Sequence, residues 1–454
     1  MTSSPPQTAT PVDTYARHVN PRWVRLLDLL QMNVSYERCL GTELFASNGD
    51  VYLDFLSGYC VHNTGHNHPA IIAAIQSELS KCGPGMLQSH IPDLAGKLAA
   101  RLCRLAGGRV SKVFFACSGS EGIESAIKFA RARTGRTGLL YANGAFHGLT
   151  RGALSLMGDG FWRDRFGPML PGTTAVPFGD LDALKSQLAT RNYAALFLEP
   201  MQSEAGMCIP PQGYLAEAAA LCRKYATLFV LDEVQTGMFR TGPFLAGHHF
   251  NVEPDMIILA KALSGGLVPV SAVLMTDEIY ESVYDSLKRS IVHTSTFSEN
   301  ALAMRTGLAT LDVLEGEALG ARAAVLGESL RQRLRESLAG YSMVKNVRGL
   351  GMLSGIEFTA PSELRLRAPY EAFRHIHSGM FGQVIVMRLF RDHKILAQIC
   401  GNNFLVLKVA PPLVVTEEQL NRFAGAITEV VDLMHHSASF WTEALGLARR
   451  VINV

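Results

Sequence analysis

Residues 228–237 read LFVLDEVQTG, residues 240–255 RTGPFLAGHHFNVEPD, and residues 256–266 MIILAKALSGG. The apolar and partly β-branched run 228–231 suits a buried strand, which would deliver Asp232 to its C-terminal end. A second run, 256–260, does the same for Lys261, 29 positions after Asp232. That separation is about one strand–crossover–strand unit, and open α/β sheets keep their ligands beyond the C-terminal ends of such strands. A lysine that follows an apolar run and precedes Ser-Gly-Gly is poorly sited for ordinary solvation.

Chemistry offers a use for the pair. An amine that attacks a carbonyl must shed its proton near neutral pH, and partial burial favours that loss. A carboxylate on a neighbouring strand end can pair with a pyridinium nitrogen, keeping a pyridoxal ring protonated and electron-withdrawing. The same spacing also fits a structural ion pair or two strand-end charges facing water.

The wording DEVQTG (232–237), RTG (240–242), Pro254-Asp255 and AKALSGG (260–266) closely resembles the signature of class III pyridoxal-phosphate aminotransferases. Ornithine, acetylornithine, putrescine and 4-aminobutyrate aminotransferases are familiar members, and the resemblance runs from about residue 40 to residue 412. It implies an α/β chain of fold type I. That fold has a large, mostly parallel seven-stranded sheet with helices on both faces, and a smaller α+β domain built from both termini. The implied boundaries are a tail at 1–20, small-domain residues 21–60 and 331–454, and a cofactor-binding domain at 61–330. Lys261 would hold pyridoxal 5′-phosphate as a Schiff base and then shuttle a proton as general acid and base. Asp232 would keep the ring nitrogen charged, and Gln235 would bond the ring's phenolic oxygen.

Length and composition agree with such a protein. At 454 residues the chain has room for two domains, by the usual figure of roughly 100–200 residues each. Apolar residues make up 48% and charged residues 18%, an ordinary globular balance. Lysine plus arginine number 42 against 40 acidic residues, which leaves no electrostatic footprint for nucleic acid or an anionic membrane. Eight cysteines without a CxxC pair read as reduced thiols of a cytoplasmic protein. No run approaches the roughly 18 apolar residues of a membrane span, and the Pro/Thr/Ser-rich start reads as disordered.

Along the chain, residues 22–31 have helical apolar spacing, and the alternation about Asn48-Gly49 predicts a hairpin. His62, His66 and His68 have a spacing that could ligate a metal, but the loop residues around them argue against it, and no metal is expected. In KVFFACSGSEGIESAIKFAR (112–131) a strand feeds Ser118-Gly119-Ser120 and then a helix, the arrangement that gathers free N–H groups for phosphate. Many strand–helix turns contain Ser and Gly without binding anything. The resemblance implies that these three residues hold the cofactor phosphate, that Phe146 stacks on the ring beside His147, and that Glu199 frames the site. It also makes Tyr59 a residue of the substrate entrance and Glu204 a gate. Thr296, in HTSTFSEN (293–300), would reach the phosphate of the other subunit's cofactor, so the enzyme would be a homodimer with interfacial sites. Further on, 311–338 reads as one long amphipathic helix, 364–396 as an insert with helical content, and Thr416 as the start of a capped helix.

Two positions depart from the ornithine-type pattern. Leu149 stands where an arginine takes a substrate carboxylate, and Lys408 where an arginine pairs with the gate glutamate. Leucine cannot bind a carboxylate, and lysine gives a point charge in place of a fork. The substrates implied are a primary amine lacking a far-end carboxylate and a 2-oxo acid, whose carboxylate Lys408 would receive. An aminomutase or decarboxylase on the same fold, or a cofactor-binding protein without turnover, are the alternatives.

Overall fold

The computed structural model describes residues 11–87 and 89–452. Seven strands form the central sheet, in the order Lys112–Ala116, Ser271–Met275, Met256–Leu259, Leu228–Asp232, Tyr193–Leu198, Gly138–Ala142 and Thr173–Val176. Ser271–Met275 alone runs against the others. Side chains alternate between the two faces, as the pleat requires. Phe197, Val230, Ile258 and Val273 pack with Ile123, Ile127 and Phe129 of the helix Gly119–Thr134. Leu196, Phe229 and Leu231 pack on the opposite side with Leu215, Ala218 and Cys222 of the helix Tyr214–Lys224. Burial on both faces is why these strands read as unbroken apolar runs.

Two smaller sheets flank this layer. Tyr36–Leu40, Glu43–Ala46 and Val51–Asp54 form an antiparallel meander that turns at Asn48-Gly49. Ile395–Leu396 joins it in parallel, with Ile395 opposite Leu53, so chain from both ends shares one sheet. Val344–Leu350, Leu353–Phe358, Asn403–Val409 and Gln398–Cys400 make the other sheet. The helix Glu417–His436 opens on a complete capping box, Thr416 with Gln419. Helices Leu364–His377 and Phe381–His393 occupy the insert.

Two expectations need correction. Residues 1–10 of the expected tail lie outside the described residues, but Pro11–His18 is a helix with Asp13 in its first turn and Arg17 and His18 in its last. Those charges complement the helix dipole, and Asn20 then caps the helix Pro21–Leu29. The single helix over 311–338 is instead two, Ala301–Gly316 and Leu319–Leu338, broken at Ala318 with φ +50°. The first helix ends on Gly316, and at the start of the second Gly320 lies so close to the 240–242 loop that a Cβ there would sit 2.3 Å from the Gly242 carbonyl oxygen. Among the described residues no helix is long and apolar enough to cross a membrane.

Candidate active site

Five like-directed strands end at one cavity of about 480 Å³. Their ends supply Ser118, Phe146, Glu199, Asp232 and Lys261, with Gln235 on the loop after Asp232. This is where a parallel sheet leaves room for a ligand, because the connecting loops diverge at a reversal of strand order. Lys261 opens the short turn Lys261–Ser264 in the left-handed region, φ +42°. Such backbone costs a non-glycine residue of the order of 1–3 kcal/mol and tends to persist where function holds it. Gly266, in the cavity wall, admits no side chain, since a Cβ would lie 2.4 Å from His62 Nδ1.

Asp232 is buried and doubly held. Its Oδ2 lies 2.7 Å from His147 Nδ1, and its Oδ1 accepts the Val234 N–H at 3.0 Å. Burial alone would depress the His147 pKa, but the Asp232 carboxylate outweighs it and holds the imidazole above its ordinary value. Nε2 of His147 is buried without a partner. Glu199 accepts the Phe146 N–H at 3.1 Å, and burial pushes its pKa up to about 7. Glu233, next to Asp232, is also raised to about 7 by burial, but it serves the fold: it accepts from the Thr236 hydroxyl and from the Ala246 and Gly247 N–H groups.

The far side of the cavity is built by Glu204. Its Oε1 receives the fully buried Lys408 ammonium and the Gln235 amide at 3.2 Å, while Oε2 receives the Gly401 N–H at 2.7 Å. Burial pushes the two charges toward neutrality, yet each holds the other charged: Glu204 titrates below its usual range and Lys408 above. Tyr59, with φ +62°, places its ring 5.0 Å from Lys408 Nζ.

Ser118 caps the helix Gly119–Thr134, its hydroxyl accepting the Glu121 N–H at 3.3 Å. Gly119 and Ser120 line the cavity from the helix's first turn, where N–H groups lack intrahelical acceptors. Gly148, at φ +117°, lies against Ser120 so closely that a Cβ would be 2.1 Å from Oγ. Backbone and hydroxyl donors in such an arrangement could hold an anion.

Of the residues singled out from sequence, Ser118, Gly119, Ser120, Phe146, His147, Glu199, Glu204, Asp232, Gln235 and Lys261 share this cavity. Tyr59 and Lys408 adjoin it through Glu204. Thr296 lies elsewhere in its own chain, in a second cavity of about 420 Å³ with Leu87, His293 and Glu299. Sequence reasoning passed over Trp162 and Asn402, whose 2.7 Å bond stands beside Phe146. The only signal was a tryptophan in the Gly/Asp-rich loop GDGFWRD. Among the described residues no three His, Cys, Asp or Glu side chains group to hold a metal ion.

The profile of the aminotransferase class-III family matches residues 28–431. Aminotransferase PigE of Serratia sp. (strain ATCC 39006) is 34% identical over 452 residues, covering 93% of this chain and 53% of that protein. The chain thus spans about half the length of that relative. Ornithine aminotransferase from Toxoplasma gondii superposes with a TM-score of 0.79 at 28% identity, over 94% of this chain and 99% of its own. Acetylornithine aminotransferase from Elizabethkingia anophelis gives 0.72 at 30% identity, over 90% and 98%.

Proposed function

The chain belongs to the class-III aminotransferases, a pyridoxal-phosphate-dependent family of fold type I, and from that premise we propose that it moves an amino group between a primary, terminal amine or amino acid and a 2-oxo acid such as 2-oxoglutarate or pyruvate. The observation that carries the reading is the opening of Lys261, Asp232 and the Ser118–Ser120 cradle into one cavity.

The residues present fit the cofactor. A single cavity offers a primary amine, a buttressed carboxylate and a helix N-terminus, matching an aldehyde, a pyridinium nitrogen and a phosphate. The unpartnered Nε2 of His147 is a further buried polar atom on the same wall. When bound, the cofactor supplies an electron-withdrawing ring. Lys261 Nζ then takes the proton from the substrate's amine-bearing carbon and returns it in the reverse half. Asp232, clamped by His147, would present a fixed negative charge to the ring nitrogen. Phe146 would cover one face and exclude water, and Ser118, Gly119 and Ser120 would hold the phosphate. Gln235 would bond the ring's phenolic oxygen, and Glu199 would frame the site. Lys408, exchanging Glu204 for the carboxylate of the oxo acid, separates the two half-reactions.

The same reading divides the chain into a cofactor-binding domain, 61–330, and a smaller one from 21–60 and 331–454. It pairs two copies through the surface carrying Leu87, Ile291 and Phe297, all more than half exposed, so that Thr296 of each serves the other's phosphate. It places the enzyme in the cytoplasm, where eight free cysteines remain reduced.

Protein given pyridoxal phosphate should take on the cofactor's visible absorbance, lose it to a primary amine alone, and regain it with a 2-oxo acid. Protein that never takes up the cofactor overturns the reading. Carbon dioxide release or an internal amino shift without an oxo acid moves it to a decarboxylase or aminomutase. Colour that no amine discharges marks a binding-only protein.

A further inference from the structure

The short turn Gly160–Arg163, capped by the Asp159 carboxylate on the Phe161 N–H at 2.8 Å, carries Trp162 to the cavity's rim. Its indole stands edge-on to Phe146, with ring centroids 5.5 Å apart and planes at 89°. On its other side lies Gly401, where a Cβ would be 3.4 Å from the indole Cζ2 and 3.0 Å from Glu204 Oε2. Trp162 therefore touches Phe146 of the cavity wall and lies near Gly401, whose N–H holds Glu204, while remaining half-buried itself.

The indole's one polar atom is already used. Nε1 donates to Asn402 Oδ1 at 2.7 Å, and Asn402 is fixed by its amide on the Gly144 carbonyl at 2.9 Å and its backbone N–H on the Glu204 carbonyl at 2.9 Å. What remains for a ligand is carbon surface, extended by Phe161, edge-on at 5.3 Å and 69% exposed. Leu149, next to Gly148 of the wall, is 53% exposed and equally apolar. A free cation for a far-end carboxylate is lacking, while Glu199, Glu204 and Asp232 add negative charge to the lining. Among the described residues Lys261 is the sole lysine or arginine lining the cavity, Lys408 is held by Glu204, and Arg163 donates to the Tyr141 hydroxyl at 3.2 Å.

We propose that Trp162 is a specificity-determining residue: with Phe146 it walls the cavity's rim and selects amines whose far end is a hydrocarbon chain over amines whose far end is a carboxylate. The proposal rests on the transaminase reading for its substrates, but not for its physics. Each methylene laid against such a wall should raise affinity roughly three- to fourfold until the wall ends.

The test compares wild type, Trp162→Ala and Trp162→Phe on straight-chain terminal amines of increasing length, with ω-amino acids of matched length. In wild type, kcat/KM should climb roughly three- to fourfold per methylene for the monoamines and stay below them for the ω-amino acids. Trp162→Ala should flatten the climb, and Trp162→Phe should keep most of it. Calorimetric affinity for unreactive straight-chain alcohols should show the same slope and the same loss, without turnover. A flat wild-type slope, or one equal loss at every chain length in Trp162→Ala, overturns the proposal. Turnover without chain-length dependence sinks Trp162 alone; an alcohol slope without turnover of any amine sinks the transaminase reading alone.

Discussion

The floor of the site and its rim are built in different ways. Asp232 and Lys261 are the ends of adjacent strands in one rigid sheet, joined by a single crossover. Glu204 and Lys408 are 204 positions apart, and Trp162 and Asn402 are 240 apart; each pair joins the central sheet's loops to the C-terminal sheet. In the proposed function the floor carries the chemistry, which needs a fixed geometry. The rim lies on a seam, so substituents there can change the substrate without moving the amine or the carboxylate.

The contrast can be broken most sharply at Lys261. Lys261→Ala should lower turnover by roughly 10⁴-fold or more in a single-turnover absorbance assay while leaving the melting temperature near that of wild type. Substantial residual turnover would remove the lysine from the chemistry. Asp232→Asn should cost about 10²–10³-fold by withdrawing a preorganised charge. It should also lower the His147 pKa by NMR titration, because the carboxylate is what holds that imidazole up. An unmoved His147 would uncouple the two.

At the rim the expected losses shift from rate to stability. Lys408→Ala should destabilise the fold by about 3–5 kcal/mol, since it strands a buried Glu204 carboxylate, and should raise KM for the oxo acid. Lys408→Met with Glu204→Gln should recover most of that stability. An unchanged KM in Lys408→Ala would end its role with the acceptor.

The smallest effect concerns pH. Glu199 titrates near about 7 when folded against 4.5 in its ordinary state, so the folded chain binds this proton more tightly. Its contribution to stability is therefore fully present below about 4.5 and is lost as pH rises through about 7. Glu199→Gln should make the fall in melting temperature across that window shallower, leaving the similar contribution of Glu233. Identical slopes would place the proton elsewhere.

What could be read in advance follows the same division. The strands ending at Ala116, Asp232 and Leu259, the Asn48-Gly49 turn and the Thr416 cap announce themselves through local spacing, because burial on both faces and capping geometry each demand particular residues. The break at Ala318 is marked less strongly: no proline stands there, and Gly316, which ends the first helix, sits in a pattern that reads as helix interior. The helix at Pro11–His18 was hidden by a composition that reads as loop.

By itself the sequence determined the α/β layer and, through the motif at 232–266, the family, because runs buried on both faces mark the strands and the motif lies within adjacent strand ends. The tertiary structure alone decided that His147 clamps Asp232, that Lys408 is sealed against Glu204, and that an unmarked Trp162 leans on Phe146 with its N–H spent on Asn402. The hydrogen-bonded pairs among these are 85 to 240 positions apart, and only the close packing of the folded chain brings such residues together.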